Sequence, residues 1–266
     1  MPVLIIKKVT PLTTNFLGFN ITLGQTKPEN IINRDNDCPF CDRKHLTHII
    51  DSCDDLLLIE NKYNVLENAY QTVLIESRFC DIDIPQYSLA HMQKLLRFGI
   101  KHWFSMIDSG KYKTVLFFKN HGPLSGGTIR HPHMQIIGLK SLDDHLMYDA
   151  DEFQGLVIDA TNGVELNIST NPRIGFSEFN IVTNDNSKID TIAYYVQIAV
   201  DYTMLHFNQR CQSYNLFFYL IDGRIHVKVM PRFATSPLFI GYNIRLRSNN
   251  LPLIVEEFHR LYFAKR

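Results

Sequence analysis

Cysteine is sparse in this sequence: five in 266 residues, an odd number. That excludes a disulfide-stapled scaffold and points to a reducing compartment. Charge of one sign is also missing. Lys and Arg together number 27, as do Asp and Glu. No basic excess marks a nucleic-acid or anionic membrane surface, so neither is expected as a partner. Long apolar runs are absent too. Leu216 to Ile221 is the longest, far short of a bilayer span. The opening Met1-Pro2-Val3-Leu4-Ile5-Ile6-Lys7-Lys8 places its charges after its apolar residues, the reverse of a secretory signal. No Pro/Gly/Ser-rich linker divides the chain. What is present is 45% apolar and 20% charged residue content, enough for a sizeable core. The composition reads as a cytoplasmic globular protein.

Residues 1–37 are polar and turn-rich and read as an irregular arm. Two strands are then expected at Leu56–Glu60 and Gln71–Ser77, with a connection over Asn61–Tyr70. Ser88 suits a helix N-cap. Leu89, Met92, Leu96, Ile100, Trp103 and Ile107 follow at spacings of three and four, the period of an amphipathic helix, and Gly110 suits its end. Lys113–Lys119 and His131–Leu139 read as two more strands. The same order then recurs: strands at Glu165–Ser169 and Glu178–Thr183, a helix capped by Ser187, and strands Asn215–Ile221 and Arg224–Met230 joined at Asp222-Gly223. Residues 111–120 (KYKTVLFFKN) stand opposite 213–222 (SYNLFFYLID). Four matched elements in one order indicate a duplicated unit, with halves 1–140 and 141–266 packed together.

The sharpest chemical signal is His131-Pro132-His133-Met134-Gln135. Side chains alternate along a strand, so His131, His133 and Gln135 share one face. Before it runs Asn120-His121-Gly122-Pro123-Leu124-Ser125-Gly126-Gly127-Thr128. Its small residues let backbone amides converge on an anion, and Ser125 and Thr128 add hydroxyl donors. Cys38-Pro39-Phe40-Cys41 has the spacing of a zinc knuckle or a redox dithiol. Residues 27–37 lack the buried strand that a thioredoxin-like motif needs, so metal binding leads. Spacing alone leaves His45, His48, Cys53, Cys80, His121 and His131 as candidates for the other ligands.

Cys-Pro-Phe-Cys, Glu60-Asn61-Lys62-Tyr63, Val73-Leu74-Ile75-Glu76-Ser77 and Asn120…Gly126…His131-Pro132-His133-x-Gln135 together resemble the histidine-triad superfamily. More narrowly, they resemble its galactose-1-phosphate uridylyltransferase branch, and within it a bacterial subgroup classed as a domain of unknown function. Eleven residues from Asn120 to His131 is that branch's own spacing. The likeness continues more weakly through His226–Arg232 and Phe239–Tyr242.

The resemblance implies an α+β fold of two tandem histidine-triad-like halves, each an antiparallel sheet with a long helix packed on it. The first half would carry the knuckle and the His-Pro-His-x-Gln strand. The implied activity is nucleotidyl transfer, or phosphorolysis of a nucleoside-diphosphate sugar, with His133 as the nucleophile that carries the nucleotide. Gln135 stands where the hydrolase branches have a third histidine. An amide holds phosphoryl oxygens but does not titrate, which suits a transferase. Asn61, Asn120, Gly126, Gly127 and Thr128 match substrate-contacting positions. Cys38, Cys41 and His131 match ligands of a structural Zn2+. Cys80 is expected as the fourth, where the branch usually has a histidine. Lys27-Pro28 replaces a common Arg-Pro, and Asn243 stands where sugar-reading enzymes tend to have an acid. These departures put galactose specificity in doubt. Lys228 shares a strand face with His226 and is expected to reach a phosphate. The implied partners are a nucleotide or nucleotide-sugar, a phosphorylated acceptor and a second copy of the chain. The rival readings are a hydrolase of the same superfamily and a non-catalytic, zinc-stapled nucleotide binder.

Overall fold

The computed structural model describes residues 16–142 and 148–264. Residues 1–15 of the expected arm lie outside them. The rest of the arm is irregular except for α1 (Ile21–Gln25), whose first turn is capped by the Asn20 side chain accepting from Leu23 N. Then come β1 (Ile49–Cys53), β2 (Leu56–Glu60), β3 (Ala69–Ile75), α2 (Leu89–Asp108), β4 (Thr114–His121) and β5 (His133–Leu139). The remainder is β6 (Gly155–Thr161), β7 (Val164–Ser169), β8 (Gly175–Phe176), β9 (Phe179–Thr183), α3 (Ile189–Leu205), β10 (Tyr214–Ile221), β11 (Arg224–Pro231), α4 (Pro237–Tyr242), β12 (Leu246–Arg247) and α5 (Leu251–Phe258). No helix among the described residues is long and apolar enough to cross a membrane.

Ten strands form one antiparallel sheet in the order β1-β2-β3-β5-β4-β10-β11-β9-β7-β6. The order reads the same from either edge once each element is exchanged for its counterpart in the other half. The expected duplication is therefore present, and the two half-sheets fuse through β4 and β10 instead of packing as separate layers. The helices α2 and α3 cover one face. Met92, Leu96 and Trp103 of α2, and Ile192, Val196 and Val200 of α3, bury against Phe117, Met134, Leu216 and Val227. Each fully buried side chain of this size contributes about 1.5–3 kcal/mol. Ser88 caps α2 through His91 N, and Gly110 follows its end at φ +64°, a conformation costly for residues with a Cβ.

Three expectations need correction. Ser187 does not cap α3. The cap position is Lys188, which makes no side-chain cap bond; Asp185 accepts from Ser187 N instead. The histidine strand starts at His133, because Pro132 has no N–H to give the ladder and His131 is drawn aside. The edge strands β1 and β6 and the helix α5 went unpredicted. The edge strands carry bulges that break the alternation of polar and apolar residues.

A buried polar cluster lies under the end of β4. Lys119 Nζ stands 2.5 Å from Glu76 Oε1 and 2.9 Å from Asp83 Oδ1. Tyr87 donates to Glu76 (2.9 Å), Tyr214 donates to Asp83 (2.8 Å), and His121 lies 3.3 Å from Asp83. Burial pushes the Glu76 carboxyl up. At Asp83 the same burial is outweighed by Lys119 and His121, which hold its carboxyl below the usual range.

Candidate active site and metal centre

His133 and Gln135 point to the face opposite the helices, into a cavity of about 600 Å³. The knuckle segment packs over this face, where Phe40 and Leu46 sit on a small apolar patch of Ile59, Val73 and Ile75. Phe40 meets the His133 ring edge-on at 5.4 Å and the His131 ring at 5.9 Å. The same cavity is lined by Asn61, Gly126, Gly127, Thr128 and Lys27. Asn61 is held by its Oδ1, which accepts from Tyr63 N.

His133 is buried. Its Nδ1–H donates to the His131 carbonyl at 2.8 Å, which leaves Nε2 as the ring atom with a lone pair. Burial is the main cause of a pKa lowered to about 4, with Lys119 and His131 adding to it, so the imidazole is neutral at pH 7. A neutral ring with one nitrogen fixed and the other free is a competent nucleophile.

The loop between β4 and β5 is held at both ends. Gly126 turns at φ +88°. Gly122 turns at φ +80°, and a Cβ there would meet Gln212 O at 2.0 Å. Ser125 Oγ donates to Gly122 O and accepts from Gly127 N, so its hydroxyl braces the loop. From the arm, the buried Asn30 donates its N–H to Thr128 O and accepts from Arg130 N (2.7 Å). From the second half, Ser213 Oγ accepts from Leu124 N, and Asn215 Nδ2 donates to Ser125 O (3.0 Å) and Asn120 Oδ1 (2.7 Å). Asn120 lines an adjoining cavity of about 760 Å³. Phe118 opposite Gln135 and Lys119 opposite Met134 set a register that brings Asn120 alongside His133 on the same face.

Lys228 does not join this group. The register runs Val73, Gln135, Phe118, Phe217, Lys228, Asn180, Asn167 across the sheet. Lys228 is thus the counterpart of Gln135, and His226 that of His133, each in the other half. Lys228 Nζ is fully buried. It donates to Asn180 Oδ1 (2.8 Å) and Glu152 O (2.9 Å) and stands 3.2 Å from Glu178. The expected reach to a phosphate is therefore replaced by an internal ion pair. His226 repeats the His133 arrangement, with Nδ1 3.1 Å from Arg224 O. Its strand is entered by the Asp222-Gly223 hairpin, and no phosphate-cradling loop precedes it. Asn30, Ser213 and Asn215 had no sequence signal pointing to the site, because each acts through a contact distant in the chain.

Cys38, Cys41, Cys80 and His131 converge, with their ligand atoms all within 4.8 Å of one another. His131 Nδ1 lies 3.6 Å from Cys38 Sγ and 3.5 Å from Cys41 Sγ. Tetrahedral zinc, with Zn–S about 2.3 Å and Zn–N about 2.0–2.1 Å, sets S···N edges of roughly 3.5 Å. His131 Nε2–H donates to Ser77 O at 2.8 Å, which turns the Nδ1 lone pair toward the sulfurs. Burial raises the Cys38 thiol, but His131 and the Phe40 N–H outweigh it and bring it to about 6. Burial and the neighbouring Cys38 push Cys41 up to about 12. Three thiols this close ionise together only around a cation. The set fits zinc in a closed Cys3His site. Among the other cysteines, Cys53 packs against the core and Cys211 is buried.

The N-terminal domain of a family described as a domain of unknown function, DUF4931, matches residues 19–142, and its C-terminal domain matches 145–263. Comparison with curated proteins gives no match. A crystallised DUF4931 family protein from Bacillus cereus is 40% identical, with TM-score 0.74 over 81% of this chain and 99% of its own. A uridylyltransferase superposes with TM-score 0.65 at 12% identity, over 85% of this chain and 91% of its own. An ADP-glucose phosphorylase from Arabidopsis thaliana with bound ADP-glucose gives TM-score 0.65 at 15% identity, over 89% and 90%. The resemblance read from the motifs thus holds at the level of the fold. The chain belongs to the DUF4931 family and shares the fold of the uridylyltransferase and of the ADP-glucose phosphorylase.

Proposed function

We propose that this protein transfers a nucleotidyl group from a nucleoside-diphosphate sugar, or a related phosphoanhydride, to a phosphorylated acceptor through His133. The observation that carries this reading is the fixing of His133 Nδ1 on the His131 carbonyl beside a glycine loop, with Nε2 left free. In the first step Nε2 attacks the α-phosphorus. A P–N bond forms, the P–O bond to the leaving phosphate breaks, and its electron pair leaves on that oxygen. Nδ1–H stays on the His131 carbonyl and stabilises the cationic phosphoramidate. An acceptor phosphate oxygen then attacks, the P–N bond breaks, and its pair returns to Nε2. The Gly126 amide, Thr128 and Gln135 hold the phosphoryl oxygens and Asn61 meets the nucleoside end; the expected Gly127 amide is instead taken by Ser125 Oγ.

Cys38, Cys41, Cys80 and His131 would hold the zinc. With four protein ligands a bound zinc would have no open position and would supply structural support in place of an activated water; His131, held in that set, fixes the nucleophile through its carbonyl. Similarity of fold to a uridylyltransferase and to an ADP-glucose phosphorylase supports the general kind of reaction. Replacing His133 with Ala is expected to leave the melting temperature within a few degrees and to abolish turnover, a loss on the order of 10⁶-fold. Turnover within tenfold of wild type would overturn the assignment.

A further inference from the structure

The second half joins β10 to β11 by a two-residue hairpin where the first half has its glycine loop, yet it touches that loop. The contact is polar, buried and directional. Asn215 stands opposite Asn120 in the β4–β10 register, at the seam between the halves. Its Nδ2 donates to Asn120 Oδ1 (2.7 Å) and to the Ser125 carbonyl (3.0 Å), so both protons of that amide are used. Its own Oδ1 accepts from Arg232 Nη1 (3.1 Å). Arg232 is held in turn by its backbone N–H, which donates to Ser213 O. An Arg guanidinium only donates, so the sense of the chain is set from its far end: Arg232 to Asn215, and Asn215 to Asn120. With its oxygen engaged, the Asn120 amide has one function left to offer, its Nδ2 donor. Asn120 neighbours His133 on the open face, and its Cβ packs against Gly127, where an added Cβ would come within 3.3 Å.

We infer that Asn215 is a positioning residue for the phosphate site: through Arg232 and Asn215, the second half fixes the Asn120 amide so that Nδ2 donates to the phosphoryl group carried by His133. The role rests on the transfer reading above and deepens it. A donor that is already oriented needs no reorganisation when charge develops on the phosphoryl oxygens. A freely flipping amide would present its oxygen to the phosphate half the time and repel it.

The test is a double-mutant cycle on the rate of nucleotidyl-enzyme formation, read by intact mass with a reactive nucleotide-sugar donor, alongside melting temperatures. Asn215→Ala and Asn120→Ala are each expected to slow adduct formation about 10- to 100-fold. The double variant should be no slower than Asn120→Ala alone, because Asn215 acts only through Asn120. Asn215→Asp separates positioning from scaffolding. It keeps a partner for Arg232 but sets an acceptor against the Ser125 carbonyl, so its rate is read per folded molecule. Its carboxylate only accepts, so Asn120 flips to donate to it and the rate falls at least as far as in Asn215→Ala. A purely structural Asn215 would lower the melting temperature and leave the rate per folded molecule unchanged in Asn215→Ala and Asn215→Asp alike. Wild-type adduct formation together with an unimpaired Asn215→Asp variant overturns this inference alone. No adduct in wild type with any donor overturns the transfer reading and this role with it.

Discussion

In the proposed transfer reaction, Gln135 is the residue that separates this site from a hydrolytic one. It shares the open face with His133, and its amide neither gives nor takes a proton at neutral pH. In the proposed transfer reaction this amide would offer a nucleotidyl-histidine no general base to activate water, so the intermediate would last until an acceptor arrives. Gln135→His is expected to add that base and raise acceptor-independent hydrolysis by about tenfold or more, since a positioned acid–base group is worth roughly 10²–10⁴. Following nucleotide release without added acceptor checks it, and an unchanged ratio of hydrolysis to transfer would contradict it. At this scale the sequence is informative where chemistry is local: His131, His133, Gln135 and Thr128 fall within eight residues of one another. It is silent where chemistry is distant. Asn30 lies 100 residues from Arg130, and Asn215 lies 95 from Asn120. A lone asparagine in an arm or strand has no period or spacing that predicts what its amide will bind.

Two elements bring their own stability arguments. The knuckle segment is short and largely irregular, and Phe40 and Leu46 anchor it on the small apolar patch beneath. Metal binding is therefore expected to supply most of its order. Cys80→Ser should reduce zinc content and melting temperature together, by metal analysis and thermal denaturation. Stoichiometric zinc at unchanged stability would remove Cys80 from the ligand set. The end of β4 presents the opposite case, a buried cation between two buried carboxylates. Lys119→Met leaves Glu76 and Asp83 facing each other without it. Breaking a buried pair in this way costs about 3–5 kcal/mol, measurable by urea denaturation. A loss below 1 kcal/mol would show that the tyrosines alone satisfy the two acids. Sequence periodicity locates the central strands and both long helices because their burial is regular. It misses β1 and β6, where bulges at the sheet edges break the alternation.

Across the whole molecule, one duplicated unit has taken two roles. The first half keeps a long loop between its central strands. The second closes the same connection with a two-residue hairpin and buries Lys228 where the first half places Gln135. His226 still holds its Nδ1 on the carbonyl two residues back, as His133 does, but a two-residue hairpin leads into its strand in place of a glycine loop. The duplication itself is legible from the order of elements. The fusion of the halves into one sheet is not, because sequence order does not say that β4 pairs with β10. A single reactive histidine per chain is therefore expected, with the second half serving as its scaffold. Intact-protein mass spectrometry after brief incubation, without acid, with a panel of UDP-, ADP- and GDP-sugars and dinucleoside polyphosphates tests this most directly. The expected result is a gain of one nucleoside monophosphate per chain, kept in His226→Ala and lost in His133→Ala. No gain with any donor, or a gain that survives in His133→Ala, would contradict it.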